Sequence, residues 1–321
     1  MISVKGVSKN FGPKQAVADV SFTVERGEIL GFLGPNGAGK STTMRMITGY
    51  LPPSSGSISV GGHDIISAPL PAKRLMGYLP ESAPAYSDMT VTDFLDFAAA
   101  IRGMRGADKS KAIDRVVEMC FLQSVRHQSV ETLSKGFKHR TCFAQSIIHD
   151  PEVLIMDEPT DGLDPNQKHE VRSIIKEMGK TKAIVFSTHI LEEVDAVCTR
   201  AIIINNGRVV ANGTPQELRL KGRQEATLTL KLKREKATKE SVGTDLRTVN
   251  GVKRSNVTEE GDLLIATVQA DKQRVLNGEV NLALFELAKA KDWKLLTLRQ
   301  EENRLDEVFR EITLPPKSEA A

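Results

Sequence analysis

Gly34-Pro35-Asn36-Gly37-Ala38-Gly39-Lys40-Ser41-Thr42 fits the pattern G-x-x-x-x-G-K-[ST] and follows the apolar run Ile29-Leu30-Gly31-Phe32-Leu33. Context decides the reading more than the pattern does. A buried strand delivers such a loop and a helix opens at its end, so that backbone N–H groups converge on a phosphate. Thr42-Thr43-Met44-Arg45-Met46-Ile47 supplies the helix. Lys40 would then neutralise β and γ phosphates, and the Ser41 hydroxyl would ligate Mg²⁺. A glycine-rich turn that binds nothing leaves the ordered succession of strand, glycines, lysine and hydroxyl unexplained.

A second apolar run, Val153-Leu154-Ile155-Met156, ends in Asp157-Glu158-Pro159-Thr160. In an open parallel sheet, ligands bind beyond the carboxyl ends of the strands. Asp157 is therefore expected to face the Mg²⁺ shell, and Glu158 the γ phosphate and an attacking water. A third run, Ala183-Ile184-Val185-Phe186, leads through Ser187-Thr188 to His189, placed to contact the γ phosphate or to position water. Leu133-Ser134-Lys135-Gly136-Phe137 precedes a helical pattern whose start is crowded by Lys135, Lys138, His139 and Arg140. Cations there oppose the helix dipole, and a bound anion would relieve the conflict.

Around these motifs the chain alternates in texture. Ile2–Val7 and Val20–Val24 alternate as half-buried strands, and Ser57–Gly62 reads as a strand and turn. From about 87 to 148 the pattern is helical: Thr90 caps a helix carrying Phe94, Leu95, Phe97, Ala98 and Ile101, and a second helix spans Lys111–Leu122. Beyond it, strands alternate with a helix from about Asn166 to Met178, which implies a mostly parallel sheet covered by helices. Composition shifts at Lys221-Gly222-Arg223. Leu228, Leu230 and Leu232, then Leu263–Val268 and Leu295–Leu298, are strand candidates. Val280–Lys289 and Arg304–Ile312 are helix candidates, and Pro315–Glu319 reads as frayed tail. The expected domains are 1–221, with a helical insertion at about 87–148, and a C-terminal α+β domain at 222–321.

The chain has 321 residues with 44 basic and 41 acidic side chains, a net charge of +3 that predicts no general affinity for nucleic acid. Cys120, Cys142 and Cys198 are far apart and form no C-x-x-C, which points to buried free thiols in a reducing compartment. No signal-peptide pattern and no run of apolar residues long enough to span a bilayer is present, so action at a membrane would require another chain.

The ordered set GPNGAGKST, LSKGF, VLIMDEPT, DGLD and His189 resembles the ATP-binding subunits of ABC transporters over about the first 215 residues. The resemblance implies an α/β fold: a P-loop NTPase core with an antiparallel β subdomain, an inserted helical subdomain and, here, a small C-terminal α+β domain. It makes Gly34–Thr42 the Walker A loop, Leu133–Phe137 the signature, Asp157 the Walker B aspartate, Glu158 the catalytic carboxylate, Asp161–Asp164 the D-loop and His189 the switch histidine. Phe11 falls where an aromatic ring stacks on adenine. Lys135 and Phe137 depart from the common LSGGQ signature, and Glu81 in Tyr78-Leu79-Pro80-Glu81 stands where a Gln is usual, still able to reach Mg²⁺ through water.

The same resemblance implies an ATPase using ATP and Mg²⁺. It would work as a head-to-tail homodimer in which Ser134 and Gly136 of one copy contact the nucleotide of the other. It would sit on the cytoplasmic face of the membrane beside a separate permease, docked through residues 87–148 and the Glu81 loop. Single-cassette exporter and gliding-type ATPases with a C-terminal extension are similar, and Leu305-Asp306-Glu307-Val308-Phe309 resembles the end of that extension. The competing readings are a soluble ATP-driven mechanoenzyme on nucleic acid or ribosomes, and a nucleotide-binding regulator. Mechanoenzymes of that kind usually carry a long coiled coil, zinc-binding cysteines or two ATP domains, none of which is visible in the sequence.

Overall fold

A computed structural model describes residues 1–220, 225–235 and 237–301, together with Phe309 and Thr313. Apart from Phe309, the expected helix at Arg304–Ile312, the Leu305–Phe309 ending and the tail from Pro315 lie outside the described residues, as does the Lys221–Arg223 shift. The chain forms two compact units, Met1–Pro215 and Gln216–Ala321.

In the first unit, β1 (Ile2–Phe11) and β2 (Lys14–Val24) form a hairpin, followed by β3 (Ile29–Leu33) and α1 (Lys40–Ile47). Then come β4 (Ser55–Val60), β5 (His63–Asp64), α2 (Pro69–Arg74) and β6 (Met76–Leu79). The helical stretch is α3 (Val91–Ile101), α4 (Gly106–Met119) and α5 (Lys135–Ile147). The order closes with β7 (Val153–Asp157), α6 (Pro165–Gly179), β8 (Ala183–Thr188), α7 (Leu191–Val197), β9 (Arg200–Asn205) and β10 (Arg208–Gly213).

Two sheets organise these elements. The larger has the order β10-β9-β3-β8-β7-β6, parallel except for the edge strand β10. Strands β3 and β7 are buried throughout, as expected of a parallel sheet covered on both faces. Strand β3 lies between β8 and β9, so the loops after β3, β7 and β8 open on one carboxyl edge. The smaller sheet, β2-β1-β4-β5, is antiparallel. One apolar cluster joins α3–α5 to α6 and the parallel sheet; a second fills the space between the two sheets and α1. Thr90 caps α3 in a reciprocal capping box with Asp93, as its spacing predicts.

Helix α8 (Pro215–Leu220) begins at the boundary and opens the second unit. After it come β11 (Glu225–Lys233), α9 (Lys239–Leu246), β12 (Val252–Glu260), β13 (Leu263–Asp271), α10 (Lys272–Leu276), α11 (Glu279–Ala290) and β14 (Leu295–Glu301). The sheet order β12-β13-β11-β14, antiparallel throughout, with helices after β11 and β13, is the split β-α-β arrangement of ferredoxin-like folds. Leu228, Leu230, Leu232, Leu264, Ala266 and Val268 alternate inward and pack with Val280 and Leu284 in a core of their own.

Candidate functional site

The loop between β3 and α1 is shaped by backbone more than by side chains. Gly39 adopts φ +106°, and a Cβ there would lie 2.7 Å from the Ala16 carbonyl oxygen, so only glycine fits. Thr43 N–H makes the first helical bond, to Gly39 O at 3.0 Å. The N–H groups of Lys40, Ser41 and Thr42 therefore have no helical acceptor, and no side chain caps the helix. The Lys40 ammonium curls back over the loop, donating to Gly34 O at 2.8 Å and Pro35 O at 3.3 Å. Ala38 is buried under the loop, its N–H donating to Pro35 O at 3.1 Å.

Acids from β7 meet this loop. Ser41 Oγ donates to Asp157 Oδ1 at 3.1 Å, and Ser187 Oγ donates to the same oxygen at 2.5 Å. Asp157 Oδ2 is buried without a hydrogen-bond partner. Glu158 Oε1 lies 3.5 Å from Lys40 Nζ, and Glu158 Oε2 lies 2.9 Å from His189 Nδ1. The Glu158 backbone is left-handed at φ +50°, a conformation that costs a non-glycine residue about 1–3 kcal/mol. Its N–H donates to Ser187 Oγ at 3.0 Å and to Ser187 O at 3.2 Å, and these bonds hold the turn.

A cavity of about 810 Å³ gathers these groups: Phe11, Asn36, Gly37, Gly39, Lys40, Ser41, Thr42, Glu81, Glu158 and His189 line it, with Lys14, Ala16 and Asp161. Phe11 ends β1, is exposed, and has Lys9 Nζ 5.4 Å from its ring centre. Gly34, Pro35, Ala38 and Asp157 are not among the cavity's lining residues, though Lys40 bonds to the Gly34 and Pro35 carbonyls and Ser41 to Asp157. Ser134 and Gly136 do not line it. Ser134 caps α5, accepting from Phe137 N–H at 3.3 Å, and a Cβ on Gly136 would meet the Gln167 side chain at 2.2 Å.

Part of the crowd of cations at the start of α5 is neutralised within the chain. His139 is buried, and burial together with the Lys135 charge pushes its imidazole down to about 4, so it is neutral. Arg140 is buried, pairs with Glu170 at 2.9 Å and stacks over Phe137 at 4.4 Å. Lys135 lies 3.7 Å from Asp161. The hydroxyls of Ser187, Thr188 and Thr160 were not legible as site residues. Serine and threonine are too common to stand out, and only adjacency to His189 and Glu158 hinted at them.

Among the described residues no group of three or more His, Cys, Asp or Glu could hold a metal ion unaided. The donor set suits Mg²⁺ instead, which binds through one or two carboxylates and completes its shell with phosphate oxygens and water. The unpartnered Asp157 oxygen beside the Ser41 hydroxyl fits that chemistry.

A glycine-rich loop on a central parallel strand, with a histidine and two acids at the ends of the next two strands, defines a P-loop nucleoside triphosphatase. The ABC transporter family profile matches residues 17–161. An uncharacterized ABC transporter ATP-binding protein of Bacillus subtilis is 37% identical over 219 residues, covering 68% of this chain and 72% of that protein. The linearmycin resistance ATP-binding protein LnrL of the same species is 36% identical, covering 68% and 70%. A solved ATP-binding subunit of an ABC transporter superposes with a TM-score of 0.64 at 32% identity, over 69% of this chain and 92% of that one. The chain belongs to the ABC transporter family and carries its ATP-binding, ATP-hydrolysing domain.

Proposed function

We propose that this chain hydrolyses ATP to drive a separate membrane permease, in the direction of export. The observation that carries the chemistry is the Glu158 carboxylate held between Lys40 and His189, next to the Ser41–Asp157 bond. Phe11 stacks on the adenine. The backbone N–H groups of Lys40, Ser41 and Thr42, which have no helical acceptor, receive the phosphates, and Lys40 swings from its carbonyl contacts onto the β and γ oxygens. Ser41, Asp157 and Glu81 are the residues that would hold Mg²⁺, whose charge offsets that of the phosphates. Glu158 orients and deprotonates the attacking water, and His189 fixes the Glu158 rotamer while its other ring nitrogen faces the γ phosphate.

Ser134 and Gly136 stand away from the cavity of their own chain, and the exposed start of α5 is suited to a phosphate. We assign them to the nucleotide of a second copy, paired head to tail. ATP then bridges the pair and hydrolysis releases it. No described helix is long and apolar enough to cross a membrane. In this reading the permease is a separate chain and the ATPase attaches to its cytoplasmic face. A groove of about 1060 Å³ bordered by α3 exposes Tyr50, Leu70, Tyr86, Phe97 and Ile101, with Lys73 and Arg74 beside them. It is the docking surface this reading assigns to the permease. Export is favoured by the similarity to the linearmycin resistance protein, because a transporter subunit that confers resistance fits removal of a compound from the cell.

The test is capture from detergent-solubilised membranes with the tagged chain, followed by ATPase assay. Recovery of a polytopic membrane protein that raises the rate, with the rise lost in Phe97→Glu, supports the reading. A rate raised instead by nucleic acid overturns it.

A further inference from the structure

Behind the cavity, a carboxylate with no assigned part in the chemistry is buried among hydroxyls. Glu193 on α7 is 2% exposed, Thr160 2% and Thr188 fully buried at 0%. Glu193 Oε1 accepts from Thr160 Oγ1, and Oε2 accepts from Thr188 Oγ1 at 2.7 Å. Arg172 Nη2, on α6, approaches Oε1 at 3.9 Å, while Arg172 Nη1 donates to Glu192 at 3.0 Å. Thr188 Oγ1 in turn accepts from the Ile190 N–H at 3.0 Å, bracketing His189.

The connectivity gives this cluster its meaning. Thr160 is separated from Glu158 by a single proline, and Thr188 immediately precedes His189. One side chain thus ties together the two strand-end segments that carry the Glu158–His189 contact. Burying a carboxylate is costly, and well-packed apolar residues usually serve stability alone as well or better. Two fixed hydrogen bonds at opposite oxygens instead set a distance, and catalysis is sensitive to shifts of about 1 Å in reacting groups.

We propose that Glu193 is a positioning residue for hydrolysis: by bridging Thr160 and Thr188 it holds Glu158 and His189 in register without touching the nucleotide. The proposal rests on the reading of Glu158 and His189 as the reacting pair. Its test is ATPase kinetics of Glu193→Gln, of Thr188→Val, which removes one hydroxyl at nearly constant volume, and of each in a His189→Ala background.

With His189 present, each substitution is expected to lower kcat at least about tenfold and leave the KM for ATP within about twofold. With His189 absent, the residual rate is expected to change less than about twofold, because the contact being held no longer exists. Equal losses in both backgrounds would show a merely structural role and overturn the proposal, as would wild-type kcat in folded Glu193→Gln. Should Glu193→Gln fail to fold, the Thr188→Val pair decides by the same criteria. A His189→Ala protein as fast as wild type would refute the site reading itself, and the proposal with it. A slow His189→Ala protein beside a fast Glu193→Gln one would refute the proposal alone.

Discussion

At the scale of the residue, Glu158 shows how one side chain is specified by its neighbours. Its left-handed backbone is pinned by Ser187, and its two oxygens are divided between Lys40 and His189. Lys40, Ser41, Asp157, Glu158 and His189 were legible in sequence because each lies beyond a short apolar run consistent with a buried strand. Ser187 was not, since its role depends on a contact across two strands that no local pattern reports. Phe11 offers a test at this scale. Loss of a ring stacked on a base costs about 1 kcal/mol, so Phe11→Ala is expected to raise the KM for ATP several-fold with kcat nearly unchanged. Steady-state kinetics would detect it, and an unaltered KM would remove Phe11 from the nucleotide site.

At the scale of the element, α5 is the instructive case. Its sequence reads as a conflict between cations and the helix dipole. The fold settles part of it with a neutral His139, a paired Arg140 and the Lys135–Asp161 contact, and burial of that kind is invisible in a tally of charges. Ser134 caps this helix, and Ser134→Ala is expected to cost about 0.5–1 kcal/mol by denaturant unfolding. The larger effect is expected on turnover, from the lost contact across the pair; an unfolding cost with full turnover would assign Ser134 to capping alone. Close packing makes a second prediction. A Cβ on Gly77 of β6 would lie 2.1 Å from the Ser146 carbonyl oxygen of α5, so Gly77→Ala must move the helix and is expected to destabilise by about 1–3 kcal/mol, measurable as a lowered urea midpoint. Elements with strong apolar periodicity were readable. Strand β12, Val-Lys-Arg-Ser-Asn-Val-Thr-Glu-Glu, was not, because an exposed edge strand carries charges that mask its alternation.

At the scale of the whole molecule, the first unit holds two apolar clusters, with residues drawn from 2–204, and the second unit holds one, drawn from 226–293. The α/β class of the first unit followed from its buried runs. The ferredoxin-like order of the second depends on which strands pair, and strand pairing is not written in local sequence.

Acid sensitivity is a property of the folded chain as a whole. Burial, aided by Lys135, depresses the His139 imidazole from 6.5 to about 4. Burial and Arg102 depress His149 likewise to about 4. Between these values the unfolded chain binds more protons than the folded one, so stability falls as pH drops from about 6.5 toward 4. The depressed carboxyls of Asp64 and Asp150 start from 3.8 and lose their contribution only below that window. The buried His139 alone is expected to supply on the order of 1–3 kcal/mol of the effect. Urea midpoints at pH 7.5 and 5 would measure it, with a smaller drop in His139→Gln; a midpoint that rises toward pH 5 would contradict the assignment.

The most direct measurement is sedimentation of Glu158→Gln with and without magnesium ATP. Two copies closing on bound nucleotide predict a monomer without ATP and a stable dimer with it, because the bridging phosphate is no longer cleaved. A monomer that holds ATP tightly yet never pairs would contradict the account.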